Sequence, residues 1–192
     1  KRSRPKILLA TNLDDAMAMY EKYKSNLLGV ISDVGFTVHK DEGSDKEKLD
    51  AGIDLVKHIR KDDPMMPILL QSSQESYAAV AEELNVGFLR KYSKTLMIQL
   101  YEFIKEEFAF GDFILRNPDR TEYGRAANLK ELEVLMRSVP DEVLLGATSK
   151  NMLSKWFMAR GLFTLGSTFK TVLESHFANT DEVRQYVCQQ IH

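Results

Sequence analysis

Short apolar runs alternate with helical patterns along the first 108 residues. Continuous apolar runs bounded by polar residues are typical of buried strands. They occur at residues 7–10, 27–32, 68–71 and 88–90. Between them, apolar residues recur every three or four positions, which predicts amphipathic helices. The helical stripes cover residues 13–20, 52–59, 77–84 and 96–104. This alternation predicts an α/β fold whose parallel sheet is covered on both faces.

The pattern changes after residue 108 and becomes mainly helical. Asn128 precedes an apolar stripe and is predicted to cap a helix. Asn179, with Glu182 three residues later, has the spacing of a capping box before another stripe. We therefore predict two domains, a receiver-like α/β domain at 1–108 and a mainly helical module at 109–192.

Composition and charge narrow the class of protein. The chain has 192 residues, of which 44% are hydrophobic and 28% charged, and its net charge is −2. Such a chain forms a soluble globular protein, and its charge argues against non-specific binding to nucleic acid. The apolar runs are too short to cross a membrane. Cys188 is the sole cysteine, which excludes an internal disulfide and fits the cytoplasm.

Three polar residues stand where predicted strands end: Asp33, Ser72 and Lys91. Each alone has an ordinary explanation as a turn residue or a solvated charge. Together they would share the edge of the sheet where α/β proteins bind ligands. A carboxylate can accept a phosphoryl group, a hydroxyl can bind its oxygens, and an ammonium can neutralise its charge. Their joint placement favours phosphoryl chemistry.

Residues 6–108 resemble the receiver domain of two-component response regulators. The matching motifs are residues 29–33, 52–55, 69–73 and 88–91. The resemblance implies a flavodoxin-like, doubly wound parallel sheet. It implies that Asp33 accepts phosphate from a histidine kinase, that Ser72 and Lys91 contact the phosphoryl group, and that Phe88 is the aromatic switch. It further implies Mg²⁺, held by Asp33, the backbone carbonyl of Gly35 and an acidic pair.

The chain departs from the receiver pattern at its start. The acidic pair is absent from this sequence, Tyr92 replaces the usual proline after Lys91, and the loop after Asp33 is long. One alignment puts Thr11 and Asn12 at the acidic pair, which gives a metal-poor pseudo-receiver. The other makes residues 7–10 the second strand, with the first strand upstream of Lys1. Connection lengths favour the second alignment. The missing strand would be central, so either another chain fills the gap or the sheet closes around four strands.

The second module also carries a resemblance. Residues 110–113, 125–135, 139–142 and 154–160 are similar to a region between a receiver and a phosphoenolpyruvate-synthase-like (pyruvate phosphate dikinase type) domain in large bacterial proteins. The resemblance implies that catalytic domains follow His192 and that this chain is not itself an enzyme.

Three functions follow as hypotheses. The first is a phosphorylation-responsive signalling module, with a histidine kinase and the C-terminal effector of the same chain as partners. The second is a phosphorylation-independent pseudo-receiver that mediates interaction or dimerisation with a second copy. The third, a small phosphatase, is disfavoured because the sequence has no Gly-rich phosphate loop and no Cys/Arg or Ser/His pair. None of them involves nucleic acid or a membrane.

Overall fold

The computed structural model describes residues 5–41, 46–149, 151–170 and 174–192. The chain divides into two compact units, which separate between Phe108 and Ala109. Each unit has its own hydrophobic core. None of the helices in the described ranges has the length and apolar character needed to cross a bilayer.

The first unit alternates helices and strands. In chain order they are α1 (Leu13–Tyr23), β1 (Val30–Asp33), α2 (Ala51–Asp62), β2 (Ile68–Ser72), α3 (Tyr77–Glu83), β3 (Gly87–Arg90) and α4 (Leu96–Glu107). A 3-10 turn at Lys24–Asn26 follows α1. Helix α1 begins where the sequence provides a cap, because the Asn12 side chain accepts a hydrogen bond from the Asp15 backbone N–H.

The three strands form one parallel sheet in the order β1-β2-β3. Ile31 lies opposite Leu69, and Leu70 lies opposite Phe88. Parallel neighbours connected through helices confirm the predicted α/β fold. Strand β2 is bonded on both edges, and its apolar residues are buried. This explains why its sequence is continuously apolar rather than alternating.

The two faces of the sheet are covered unequally. On one face, Ile68 and Leu70 belong to a core built with residues of α1, α2 and α3. On the other face, α4 lies so close to β3 that a Cβ added at Gly87 would be 2.5 Å from the ring of Phe103. Helix α4 buries no residue completely, and Met97 and Ile98 are exposed. On this face Leu69 and Leu89 are buried whereas Ile31 is 39% exposed, so the face is covered over β2 and β3 and only partly covered over β1.

The predicted strand at residues 7–10 does not form, so that prediction is wrong. The segment has no strand pairing in the described chain, and the side chains of Ile7 and Leu9 are 93% and 77% exposed. Pairing begins only at Asn12, which makes an isolated parallel bridge with Thr37. An apolar run becomes a strand only where a neighbouring edge can bond its backbone, and this segment lacks such an edge.

Helix α1 is held on α2 by a polar cluster at its carboxyl end. The Tyr20 hydroxyl donates to Asp62 Oδ2 at 2.9 Å, and Lys24 Nζ is 3.0 Å from the same oxygen. His58 Nε2 lies 2.9 Å from Glu21 Oε1. Burial and the neighbouring Asp62 carboxylate raise the pKa of Tyr20. Tyr20 thus stays protonated and serves as a hydrogen-bond donor between the two helices.

The second unit is a two-stranded antiparallel ribbon with five helices in the described residues. Its elements are β4 (Phe113–Arg116), β5 (Glu122–Ala126), α5 (Leu129–Ser138), α6 (Asp141–Ser149), α7 (Met152–Ala159), α8 (Phe163–Lys170) and α9 (Thr180–Ile191), with a 3-10 turn at Glu174–His176 before α9. Asn128 and Asn179 cap α5 and α9 as predicted, each accepting from a backbone N–H. The Glu182 carboxylate accepts from the N–H of Ala178, the residue before the cap, so the predicted capping box forms with its return bond one residue earlier.

The core of the second unit is built around Trp156. Its ring packs edge-on against Phe113 and Phe157, and its Nε1 donates to the Gly111 carbonyl at 3.2 Å. The Arg160 guanidinium stacks 3.5 Å from the centre of the Trp156 ring. Arg160 also donates to the carbonyls of Ala109 and Gly111. These contacts fix the segment before β4 to helix α7.

Two helical glycines in the protein allow a matched test of packing. A Cβ at Gly52 would lie 2.1 Å from the Asp33 carbonyl oxygen, whereas a Cβ at Gly146 would meet nothing within 4 Å. We expect Gly52→Ala to lower the free energy of unfolding by about 1–3 kcal/mol, because the backbone must move. Gly146→Ala should raise it by up to about 1 kcal/mol through helix propensity. Urea denaturation measures both, and equal stability of the two variants would contradict the close approach.

Candidate functional site

The candidate site lies at the carboxyl ends of the three parallel strands. Asp33 is the last residue of β1, Ser72 is the last of β2, and Lys91 directly follows β3. Register explains why they share one edge: Asp33 lies opposite Gln71, and the Lys91 N–H donates to the Ser72 carbonyl at 2.8 Å. Parallel strands bring their carboxyl ends to the same edge of the sheet.

An ion pair between Asp33 and Lys91 spans this edge. Lys91 Nζ is 2.9 Å from Asp33 Oδ2, so the two outer strands are linked across the end of β2. The Asp33 side chain is 46% exposed and the Lys91 side chain is 33% exposed. The carboxylate is therefore reachable from solvent while a cation is already held beside it. A nucleophilic oxygen next to a fixed positive charge suits reaction with an anionic group.

Ser72 lies at the same edge but makes a different contact. Its side chain is almost fully buried, and its Oγ accepts a hydrogen bond from the Gln74 N–H at 3.1 Å. Among the described residues, its hydroxyl makes no hydrogen bond to Asp33 or Lys91. The structure thus brings two of the three predicted side chains into contact and leaves the third nearby, with its hydroxyl proton free to be donated.

The backbone of Asp33 is fixed by the start of α2. The Gly52 N–H donates to the Val34 carbonyl at 2.8 Å, and only a glycine fits so close to the Asp33 carbonyl. The Ser32 hydroxyl donates to that same Asp33 carbonyl at 2.8 Å. The sequence pattern predicts that Gly52 starts a helix, but it does not predict this contact. The sequence did contain one signal for it. Gly52 lies in the first turn of a predicted helix, where almost any other residue would favour the helix more strongly.

Gly35 and the long loop lie beside the site. A Cβ at Gly35 would be 3.5 Å from the Leu49 backbone, so the loop returns close to this residue. Phe36 and Lys48 exchange two backbone hydrogen bonds, which closes the loop like a hairpin. Lys48 also pairs with Asp54 of α2. Residues 42–45 of the charged run lie outside the described residues.

Phe88 and Tyr92 flank Lys91 along the chain. Phe88 is partly buried and packs against the core shared with α1, α2 and α3. Tyr92 replaces the receiver proline, is 90% exposed and has a positive φ of 64°. This left-handed backbone is unusual for a bulky residue and forms the tight turn after Lys91.

The described residues do not fit a magnesium ion on their own. Mg²⁺ prefers several oxygen ligands in octahedral geometry. Asp33 offers one carboxylate, and one of its oxygens is already paired with the Lys91 ammonium. In the described ranges, no three His, Cys, Asp or Glu side chains converge as a metal-binding group.

Cys188 of the second unit has the properties of a packed core residue. The thiol is buried in the core of this unit. Burial is the main cause that raises the pKa of the Cys188 thiol. A thiol that stays protonated at neutral pH is a poor nucleophile, in agreement with the absence of a paired histidine in the sequence.

Comparison with known proteins adds no relative: no family model, curated protein or solved structure matches this chain. The class that the structure itself defines is an α/β unit with an acidic and a basic side chain paired at the carboxyl edge of a parallel sheet.

The strength of the Asp33–Lys91 pair can be measured by a double-mutant cycle with Asp33→Asn and Lys91→Met. We expect a coupling of about 0.2–1 kcal/mol that decreases with salt, because both groups are partly exposed. Lys94→Met, at an exposed lysine three residues away, is the control and should show no coupling with Asp33→Asn. Urea unfolding at low and high ionic strength gives the values. Equal coupling for both lysines would argue against a specific pair.

Proposed function

We propose that the first unit is a phosphoacceptor module of the receiver type, with a flavodoxin-like fold and Asp33 as the acceptor. The observation that supports it most is the contact between Asp33 and Lys91 across the carboxyl edge of the parallel sheet. The strand order β1-β2-β3 supports it too, since these strands correspond to consecutive neighbours in the flavodoxin-like order.

The proposed reaction is a phosphoryl transfer from a histidine kinase. An Asp33 carboxylate oxygen attacks the phosphorus atom of a phosphohistidine, the P–N bond breaks, and its electron pair returns to the imidazole, which takes up a proton. The product on this chain is an acyl phosphate. Lys91 is in place to pair with a phosphoryl oxygen, because its ammonium already lies 2.9 Å from the attacking group.

Ser72 and Phe88 provide the proposed response. The Ser72 hydroxyl accepts from Gln74 and still has its own proton to donate, so a short movement would bring it to a phosphoryl oxygen. Phe88 is only partly buried, which leaves its ring room to change position when β2 and its following loop adjust. Two arrangements of these side chains would give the module two states.

The output is proposed to lie beyond the module. The second unit, Ala109–His192, would connect the receiver to a phosphoenolpyruvate-synthase-like effector of the same chain, in a cytoplasmic bacterial protein. This chain would regulate that effector and carry out no catalysis of its own. In the complete receiver Mg²⁺ would assist, with Gly35 providing a backbone carbonyl and an acidic pair from outside this sequence.

A phosphorylation-independent interaction module is the second candidate. It is favoured by the absence of a converging group of metal ligands around Asp33 in the described residues. Lys91 would then serve only to neutralise Asp33, and the sheet would be a scaffold for binding.

The two functions are separated by a labelling experiment. The chain extended upstream of Lys1, so that it includes the acidic pair, is incubated with acetyl phosphate, with and without Mg²⁺, and the acyl phosphate is detected by intact mass. We expect a label that Asp33→Asn abolishes and that Asp54→Asn, a control carboxylate paired with Lys48 in α2, leaves intact. Lys91→Met should slow labelling by about 10²-fold, through loss of one charge-stabilising donor.

Two results would contradict the phosphoacceptor proposal. Labelling that persists in Asp33→Asn would eliminate Asp33 as the acceptor. A folded extended chain that takes no label from acetyl phosphate or from phosphorylated kinases would favour the interaction module.

A further inference from the structure

Strand β1 has an open edge. The Val30 N–H donates to the Pro67 carbonyl and the Val34 N–H to the Gln71 carbonyl, both toward β2. In a parallel strand, alternate residues direct their backbone groups to opposite sides. Ile31 and Asp33 therefore direct theirs away from β2, where no described strand pairs with them. The side chain of Ile31 is also 39% exposed. Unlike many natural edges, β1 has no proline, lysine or bulge to block pairing.

The same molecule has an apolar segment without a partner edge. Residues 6–10 are Lys, Ile, Leu, Leu and Ala, and Ile7, Leu8 and Leu9 are all exposed. In the described chain this segment is paired with no strand. In the described chain, each molecule therefore has a strand edge without a partner, that of β1, and an apolar segment without a strand to pair with. The segment of one copy could pair with the edge of another.

We propose that residues 6–10 of a second copy of this chain add to the open edge of β1 as an antiparallel strand. In this register Lys6 lies opposite Asp33, Leu8 opposite Ile31, and Ala10 opposite Gly29. Each copy gives one segment and receives one, so the exchange closes as a symmetric dimer with two identical interfaces.

Charge and size favour this register. Lys91 pairs with Asp33 Oδ2, which leaves the Oδ1 side for a second cation, and Lys6 would supply it. Leu8 would cover the exposed Ile31, since residues directly opposite share a face. At the other end a small residue is needed, because a Cβ at Gly29 would already lie 2.1 Å from the ring of Phe108. A parallel strand that continued the Asn12–Thr37 bridge would instead place Lys6 opposite the apolar Ile31 and Leu8 opposite Asp33.

The segment cannot reach this position within its own molecule. Asn12 is bridged to Thr37, and the Leu13 N–H donates to the Thr37 carbonyl, beyond the carboxyl end of β1. Ala10 is two residues away, and such a link reaches about 7 Å. The antiparallel register needs Ala10 at Gly29, which is about 13 Å of strand before Asp33. The antiparallel register therefore requires another copy, and it does not depend on phosphorylation.

The oligomeric state of the 192-residue chain tests the proposal. We expect sedimentation equilibrium to show a concentration-dependent dimer. Leu8→Asp, at a side chain already exposed to solvent, places a carboxylate opposite Ile31 and should raise the dissociation constant at least about tenfold. Val134→Asp, at an exposed apolar residue of α5, is the control and should leave it unchanged. Lys6→Glu should also weaken the dimer, whereas Lys57→Glu, at an exposed lysine of α2, should not.

Cross-linking tests the register. In the double variant Leu8→Cys with Ile31→Cys, the two cysteines of different copies would lie within disulfide distance, and oxidation should give a covalent dimer. Ile7→Cys with Ile31→Cys is out of register and should cross-link less. A monomer at all concentrations, a dimer that survives Leu8→Asp, or the opposite cross-linking preference would each overturn the proposal. A chain extended upstream of Lys1 that is monomeric would show that a strand of the same molecule occupies the edge instead.

Discussion

The pairing of β2 on both of its edges is the interaction on which the first unit depends. Its backbone bonds to β1 on one side and to β3 on the other, and this alone sets the ends of the outer strands on a common line. Asp33 and Lys91 are far apart in sequence; Asp33 ends one outer strand, and Lys91 directly follows the other. Their ion pair exists because β2 holds those strands two interstrand spacings apart, about 9.5 Å, which the lysine and aspartate side chains together can bridge.

The sequence predicted the strands whose formation depends on the burial of apolar residues. It failed where strand formation depends on a neighbouring strand that can bond the backbone. Residues 68–71 and 88–90 were identified as strands because a continuous apolar run is typical of a parallel sheet interior. Residues 7–10 have the same pattern and form no strand, because hydrogen-bond partners are a property of the fold. Strand β5 and helix α8 were missed for the opposite reason. Gly124 and Gly166 weaken their local signals, and tertiary contacts with Leu135 and Met158 compensate.

The candidate site was predictable in part for similar reasons. Residue type and strand position were sufficient to place Asp33, Ser72 and Lys91 at one edge. The hydrogen-bond partners of these side chains were not predictable. The hydrogen bond from the Gln74 N–H to Ser72, for example, depends on the loop that follows β2. The contact of Gly52 with the Asp33 carbonyl joins two elements separated by a long loop, and no periodicity in the sequence records it.

The fit of Gly52 against Asp33 has a mechanical consequence. With glycine at this position, peptide backbone meets peptide backbone, with no side chain between them to absorb a displacement. Any chemical event that shifts the end of β1 must push or pull the first turn of α2 by a similar amount. The long loop between them ends in this turn, so its approach to the sheet edge would change as well. A rigid joint of this kind transmits motion whatever residues occupy the outer surface of the helix.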